Sequence, residues 1–496
     1  MKVNSLVYIL GCLSALLLCA CSSPEQKDER IARQACGSCH IFPEAGLLSK
    51  TTWEKSVLPA MAFRMGIEYS MLRTLSAADQ DEVMQTLPSR PMVNDAEWES
   101  IKRYYQTLAP DTLQAATQHI ADTLVTFGVE RFSQKLFPLN TFVKSDSAHH
   151  QFYLGSRLNR LYRLDDKLVL KDSFTMPSPP SQMTVGDEAL TLLLMGIMDP
   201  NDQPQGSLVS MRLSDGKITT IVDSLKRPVN FQQRDLDGDK LEDIIVCAFG
   251  NYSGQLVAFR NRGDGKYERK VLMSVPGARR VIIVDFDKNG MDDIVVLLSQ
   301  GDEKIVVLLN KGRFDFRVNT LLRFPPVYGS SYFDLVDFNN DGKLDILYTN
   351  GDNADYSMVL KPYHGVRIFL NNGTNDFEQS WFYNMHGASQ AVARDFDKDG
   401  DVDIAAISFF PDFNHHPEQG FIYFENIGSG FKPQVSMQAM TGRWLTMETC
   451  DIDRDGDADI LLSALDFNSG IPGELLASWK ANRTSLLLLR NKIISN

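Results

Sequence analysis

The stretch QACGSCH holds three residues that can act as a set: Cys36, Cys39 and His40. Two thiols separated by two residues can add to the vinyl groups of one porphyrin. A histidine directly after the second thiol then falls at the iron. The stretch therefore reads as the attachment site of one haem c, with Cys36 and Cys39 as covalent links and His40 as iron ligand. A dithiol with a bystander histidine is the rival reading. Thioredoxin-like dithiols open a helix after a strand in a βαβ setting, which these flanks lack. A methionine is the expected second axial ligand, because it raises the potential. Met61, Met65 and Met92 are the candidates.

A second chemistry is repeated five times. The copies are DLDGDKLED (235–243), DFDKNGMDD (285–293), DFNNDGKLD (337–345), DFDKDGDVD (395–403) and DIDRDGDAD (451–459). Oxygen side chains fall at positions 1, 3, 5 and 9. They are Asp235, Asp237, Asp239 and Asp243; Asp285, Asp287, Asn289 and Asp293; Asp337, Asn339, Asp341 and Asp345; Asp395, Asp397, Asp399 and Asp403; and Asp451, Asp453, Asp455 and Asp459. Alternating oxygens in a tight loop suit a hard cation, so up to five calcium ions are expected. Glycine at position 6 permits the turn in four copies. The first copy departs, with Gly238 at position 4 and Lys240 at position 6, which leaves its loop geometry open. An EF-hand would need Glu at position 12 and flanking helices. Position 12 is Val246, Val296, Tyr348, Ala406 or Leu462.

The elements around these loops are strands. Each loop is followed by an apolar run such as DIIVCAF or DILLSAL, and later by a second run ending in Asn, such as IVVLLN or LLLLRN. The loops start 50, 52, 58 and 56 residues apart. A period near fifty built from strands and turns signals β-propeller blades. The pattern resembles the FG-GAP/VCBS repeat family, and that resemblance implies calcium-binding blades over most of residues 135–496. Two earlier strand–turn–strand stretches, 142–155 and 184–196, lack the acidic set and read as metal-free blades. Seven blades result, with six or eight open.

The haem motif requires a helical setting. DERIARQACGSCH reads as a helix, TTWEKSVLPAMAFRMGI has helical spacing interrupted by Pro59, and NDAEWESIKRYYQTLAP begins with a cap. The last stretch resembles the C-terminal helix of small cytochrome c domains. Leu58-Pro59-Ala60-Met61 resembles a motif of cytochromes fused to propellers and favours Met61. SRPMVNDAEW resembles the methionine loop of ordinary cytochromes and keeps Met92 open. The fold class expected is mainly β, a seven-bladed FG-GAP/VCBS propeller preceded by a small all-α cytochrome c-like domain. The boundaries are 29–112 for the haem domain, 113–134 for a linker and 135–496 for the propeller.

Residues 1–20 read as a signal segment. Lys2 is followed by an apolar run, Leu6 to Ala20, too short for a comfortable span. The end of this run, Leu18-Cys19-Ala20-Cys21, resembles a bacterial lipobox. That resemblance implies lipid on Cys21, residues 21–28 as an anchor linker, and an exported lipoprotein at the outer membrane, on its periplasmic face or at the cell surface. Net charge is −13 among 496 residues, which argues against a nucleic-acid partner. Cys247 and Cys450 lie in strand-like runs of different blades and read as free thiols.

In a propeller blade the loop from second to third strand must lie opposite the acidic loop, as must the entry into each first strand. Those segments carry mixed charge and aromatic character. They nominate Asp352, Asp355, Tyr356, His364, Asp412, Arg443 and Trp444 as a candidate face site. Three functions are compatible with these parts. One is electron transfer to or from a redox partner protein docked on the propeller. Another is a propeller dehydrogenase that uses the haem as electron acceptor for a small molecule. The third is a surface lipoprotein that binds a glycan or protein. Nucleophile elbows, zinc-protease motifs and phosphate-binding glycine loops are absent.

Overall fold

A computed structural model describes residues 23–114, 121–132, 136–352, 359–374, 376–466 and 470–493. Cys21 and the apolar run before it lie outside the described residues, as do Asp355 and Tyr356. No described helix is long and apolar enough to cross a membrane. The chain forms two units. One contains the described residues up to Met71 together with Leu87–Leu113; the other contains Leu72–Thr86 and the described residues after 114.

The first unit is helical. Helix Pro24–Cys36 starts at a capping box in which Ser23 and Gln26 satisfy each other's backbone N–H groups. Helix Asp95–Leu108 has the same device in Asn94 and Glu97. The two are joined by Arg103, whose Nε and Nη2 donate to Asp28 at 2.9 Å each. Trp53 and Tyr105, both fully buried, pack with ring centroids 4.1 Å apart. The Trp53 indole N–H donates to Ala45 O, and the Tyr105 hydroxyl donates to Pro43 O. Pro59 does not break the chain's helical course. It sits in the first turn of Leu58–Arg64, after a wide π turn at Trp53–Val57, where its missing N–H costs little.

The second unit is a seven-bladed propeller; in blades one to five each blade is a four-stranded antiparallel sheet with its strands in chain order, and blades six and seven each add an early strand. The first two blades span Asn140–Asp146 to Leu170–Thr175 and Pro180–Val185 to Ile218–Leu225. The five acidic loops belong to blades three to seven, each between first and second strand. Blade three shows the plan: Pro228–Arg234, Asp243–Ala248, Gln255–Asn261 and Tyr267–Met273.

Second strands are buried at every position in blades three to seven. Both faces of each blade pack against a neighbour, so alternation gives way to a continuous apolar run. Ile245 and Cys247 join the core shared with blade four, while Ile244 and Val246 join the one shared with blade two.

Two expected boundaries move. Residues 113–134 are not only a linker. Strand Phe127–Arg131 pairs antiparallel with the last strand, Leu486–Asn491, and becomes the fourth strand of blade seven. Asp122–Thr123 adds a parallel fifth strand to blade six. The ring is thus closed by an early segment that covers an otherwise open edge. Within 29–112, residues 72–86 belong to the propeller unit. Asp79, on helix Ala77–Met84, accepts from Asp202 N at 3.2 Å and from Gln203 Nε2 at 2.8 Å. Glu82 pairs with Lys226 and accepts from the Ser253 hydroxyl.

Candidate functional sites

Cys36 is the last residue of its helix, and Cys39 and His40 follow in the turn. Burial pushes the Cys36 thiol up to about 11, against a hydrogen bond from Tyr105 that lowers it. Cys39 is exposed, and both thiols are free. His40 Nδ1 lies 2.9 Å from Ile41 O. A metal-ligating histidine commonly donates its second ring N–H to a carbonyl, which fixes the ring for metal binding through the other nitrogen. Two free thiols at a helix end beside an imidazole held this way fit a covalent haem. Gly37 between them escaped sequence reasoning: a Cβ there would lie 2.6 Å from Arg33 O.

The three methionine candidates share one backbone neighbourhood. Met65 N donates to Met61 O at 2.8 Å, and Met92 N donates to Met65 O at 3.0 Å. Met61 is half-buried, Met65 buried and Met92 exposed.

The acidic loops share one construction. The first Asp takes backbone N–H groups across the turn, as Asp285 does from Asn289 and Gly290 at 2.9 Å. The ninth-position Asp is fully buried in every copy. It receives the N–H of position 2 and that of the Asn ending the third strand: Asp293 accepts from Phe286 N at 3.0 Å and Asn310 N at 2.7 Å. The recurrent strand-final Asn, whose role the repeat pattern did not reveal, is explained by its side chain: Asn310 Nδ2 donates to Asp292 O at 3.1 Å and its Oδ1 accepts from Gly312 N at 2.9 Å. Its side chain also staples blades together. Asn310 Nδ2 donates to Leu236 O in the preceding blade's loop at 2.8 Å, and Asn491 Nδ2 to Phe396 O at 2.7 Å.

The aberrant first loop adopts the same backbone as the others. Positions 4 and 6 are left-handed in all five copies. Four copies use a non-glycine at 4 (Lys288, Asn340, Lys398, Arg454) and Gly at 6. The first exchanges them, with Gly238 at φ 79° and Lys240 at φ 70°.

Carboxylate oxygens converge within 4.8 Å of one another in Asp235, Asp237 and Asp239; Asp285, Asp287 and Asp293; Asp395, Asp397 and Asp399; and Asp451, Asp453 and Asp459. Oxygens on opposite sides of a calcium ion at about 2.4 Å each would be separated by about this much, so these sets fit the ion. Burial pushes Asp397 and Asp459 up to about 6, and neighbouring carboxylates add to the rise. Blade five fits less well. Asn339 replaces a carboxylate, and the Lys343 ammonium lies 2.6 Å from Asp341. In blade one, Asp146, buried, is bonded by the His149 and Gln151 side chains.

The opposite face differs from expectation. Trp444 is not a mouth residue. It is fully buried in the core between the last two blades, with its indole N–H on Ala439 O at 2.9 Å. Arg443 is 1% exposed and stands over the rings of Phe409, Phe410 and Phe413 at 4.8–5.3 Å. Asp412 is buried and bonded by the His415 ring at 2.8 Å, whereas His416 pairs with Glu418 at 3.0 Å. The adjacent histidines therefore serve different carboxylates. His364 is fully buried against Tyr363, and burial holds its imidazole neutral. Asp352, half-buried, is paired with Arg279 at 3.0 Å. Sequence position placed these residues on one face. Packing turns His364, Asp412, Arg443 and Trp444 inward.

Residues 235–296 and 285–348 match the model of the FG-GAP-like repeat. The propeller carries FG-GAP-like repeats. A propeller with FG-GAP-like blades suits a ligand- or protein-binding surface. No curated protein matches the chain. Solved structures similar to it include the N-terminal domain of Nup159, with 11% identity over 76% of this chain and 99% of that one, at TM-score 0.44. The β-propeller domain of Myceliophteria thermophila Cps50 (Swd1) has 12% identity over 71% and 97%, at TM-score 0.44. The Neurospora crassa Pan2 WD40 domain has 10% identity over 76% and 100%, at TM-score 0.45.

Proposed function

We propose that this chain is an exported, lipid-anchored c-type haem protein that transfers single electrons to or from a partner recognised by its calcium-stiffened propeller. The observation that carries the reading is the thiol pair Cys36 and Cys39 at a helix end, with His40 held by Ile41 O. Haem, when bound, supplies a reversible one-electron couple. The residues do the rest. Cys36 and Cys39 anchor the porphyrin, His40 offers an oriented imidazole, and Met61, with Met65 and Met92 beside it, offers a thioether. Calcium in the FG-GAP-like loops neutralises buried carboxylates and does no redox chemistry. Lipid on Cys21 holds the chain at a membrane surface.

Expression in a bacterial host equipped for haem c attachment tests this. Haem that stays with the protein through acid–acetone extraction, and is lost in Cys36→Ser/Cys39→Ser, is the expected result. Protein from that host with both thiols freely alkylated and no haem would overturn it. Met61→Ala is expected to abolish the methionine–iron charge-transfer band. The same change at Met65 or Met92 decides among the three.

A further inference from the structure

Blade seven holds one carboxylate more than its loop pattern needs. Asp457 occupies position 7 of the loop, where blades three, four and five carry Leu241, Met291 and Lys343. It is 4% exposed, and neither of its carboxylate oxygens has a hydrogen-bond partner. An ionised carboxylate left this way is costly unless a cation meets it.

The five carboxylates of this loop do not converge on a single point. Their oxygens fall into two trios within 4.8 Å: Asp451, Asp453 and Asp459, and separately Asp453, Asp455 and Asp457. Asp453 belongs to both. A carboxylate has two oxygens, so one side chain can bridge two ions. We propose that the last blade binds a second divalent cation, held by Asp455 and Asp457 and bridged to the loop's own ion through Asp453. The proposal rests on the reading of these loops as calcium sites and goes beyond it in number and placement.

Charge supports two ions. Five carboxylates lie within nine residues, and one dication leaves three negative charges. Arg490 contributes one positive charge through Asp453, but it also serves Glu130. Lys398, from the neighbouring blade's loop, adds a coulombic attraction to Asp457. Cation binding would draw Asp453 away from Arg490. Blade six offers a built-in comparison. Asp401 stands at the same position 7, and one of its oxygens also lacks a partner, but the residue is only half-buried and joins no trio among the described residues.

The test is ion counting on the full chain. Metal-free protein is titrated with calcium chloride alone by isothermal calorimetry and by equilibrium dialysis. Asp457→Asn is expected to bind one calcium ion fewer than wild type, Asp453→Asn two fewer, and Asp401→Asn the same number as wild type. In EDTA, Asp457→Asn should melt at or above the wild-type temperature, which shows that it folds. Equal counts for wild type and Asp457→Asn would overturn the second ion while leaving the loop sites standing. A wild-type chain that binds no calcium would overturn both.

Discussion

His40, Gly290 and Trp444 show how single residues divide between chemistry and support. The His40 ring is oriented by Ile41 O, 2.9 Å from its Nδ1. Gly290 sits at φ 86°, where a Cβ meets the following carbonyl. Gly290→Ala is expected to destabilise the metal-free protein by about 1–2 kcal/mol in urea denaturation. Trp444 was nominated as a binding residue, yet its ring fills the core between blades six and seven. Trp444→Ala should therefore cost about 3–5 kcal/mol of stability. A change confined to ligand binding, with an unchanged denaturation midpoint, would contradict that assignment.

At the scale of elements, the loop and the third strand form one device. The ninth-position Asp receives an N–H from each, and the strand-final Asn reaches the neighbouring blade. Asn310→Ala should cost about 1–3 kcal/mol, because Leu236 O and Asp292 O both lose a buried donor. The loops also set the pH response. In the last two blades the carboxyls are raised from the ordinary 3.8, Asp397 and Asp459 to about 6 and Asp457 to about 7, chiefly by burial. The folded state thus holds protons that the unfolded chain releases near pH 4. These groups therefore make metal-free stability fall as pH rises from about 4 to about 7 and level off above. Calcium bound as proposed would compete with those protons, so its stabilisation should grow over the same window. Melting in EDTA and in calcium across that range measures both trends, and parallel curves would refute the coupling.

At the scale of the whole propeller, closure comes from a segment far in sequence from the blade it completes. Val129 pairs with Leu489, and Arg131 with Leu487. Deleting residues 122–131 would expose the edge of Leu486–Asn491, a strand of four consecutive leucines. Loss of a single cooperative melt and concentration-dependent self-association in ultracentrifugation are the expected outcomes. A deletion variant that melts as one monomeric unit would show that closure lies elsewhere.

Much of this was legible in the chain. Five acidic loops in register fixed the blade period, because one supersecondary unit must recur for its faces to be buried by its neighbours. Stepping the same period backwards located the first two blades, although the bond between Asp146 and His149 had no sequence signature. The C-x-x-C-H spacing supplies the proposed haem reading by itself, since its five residues lie at one helix end and the turn that follows. Other features are decided by tertiary structure because they depend on partners distant in sequence. Phe127–Arg131 looks like linker until it meets a strand some 360 residues later. The polarity of Arg443 suggests a solvent-facing role until three phenylalanine rings enclose it. Lys240 breaks the glycine pattern until its φ shows that Gly238 has taken the other left-handed position. Local chemistry determines what a residue can do; burial against distant chain determines which of those things remain open to it.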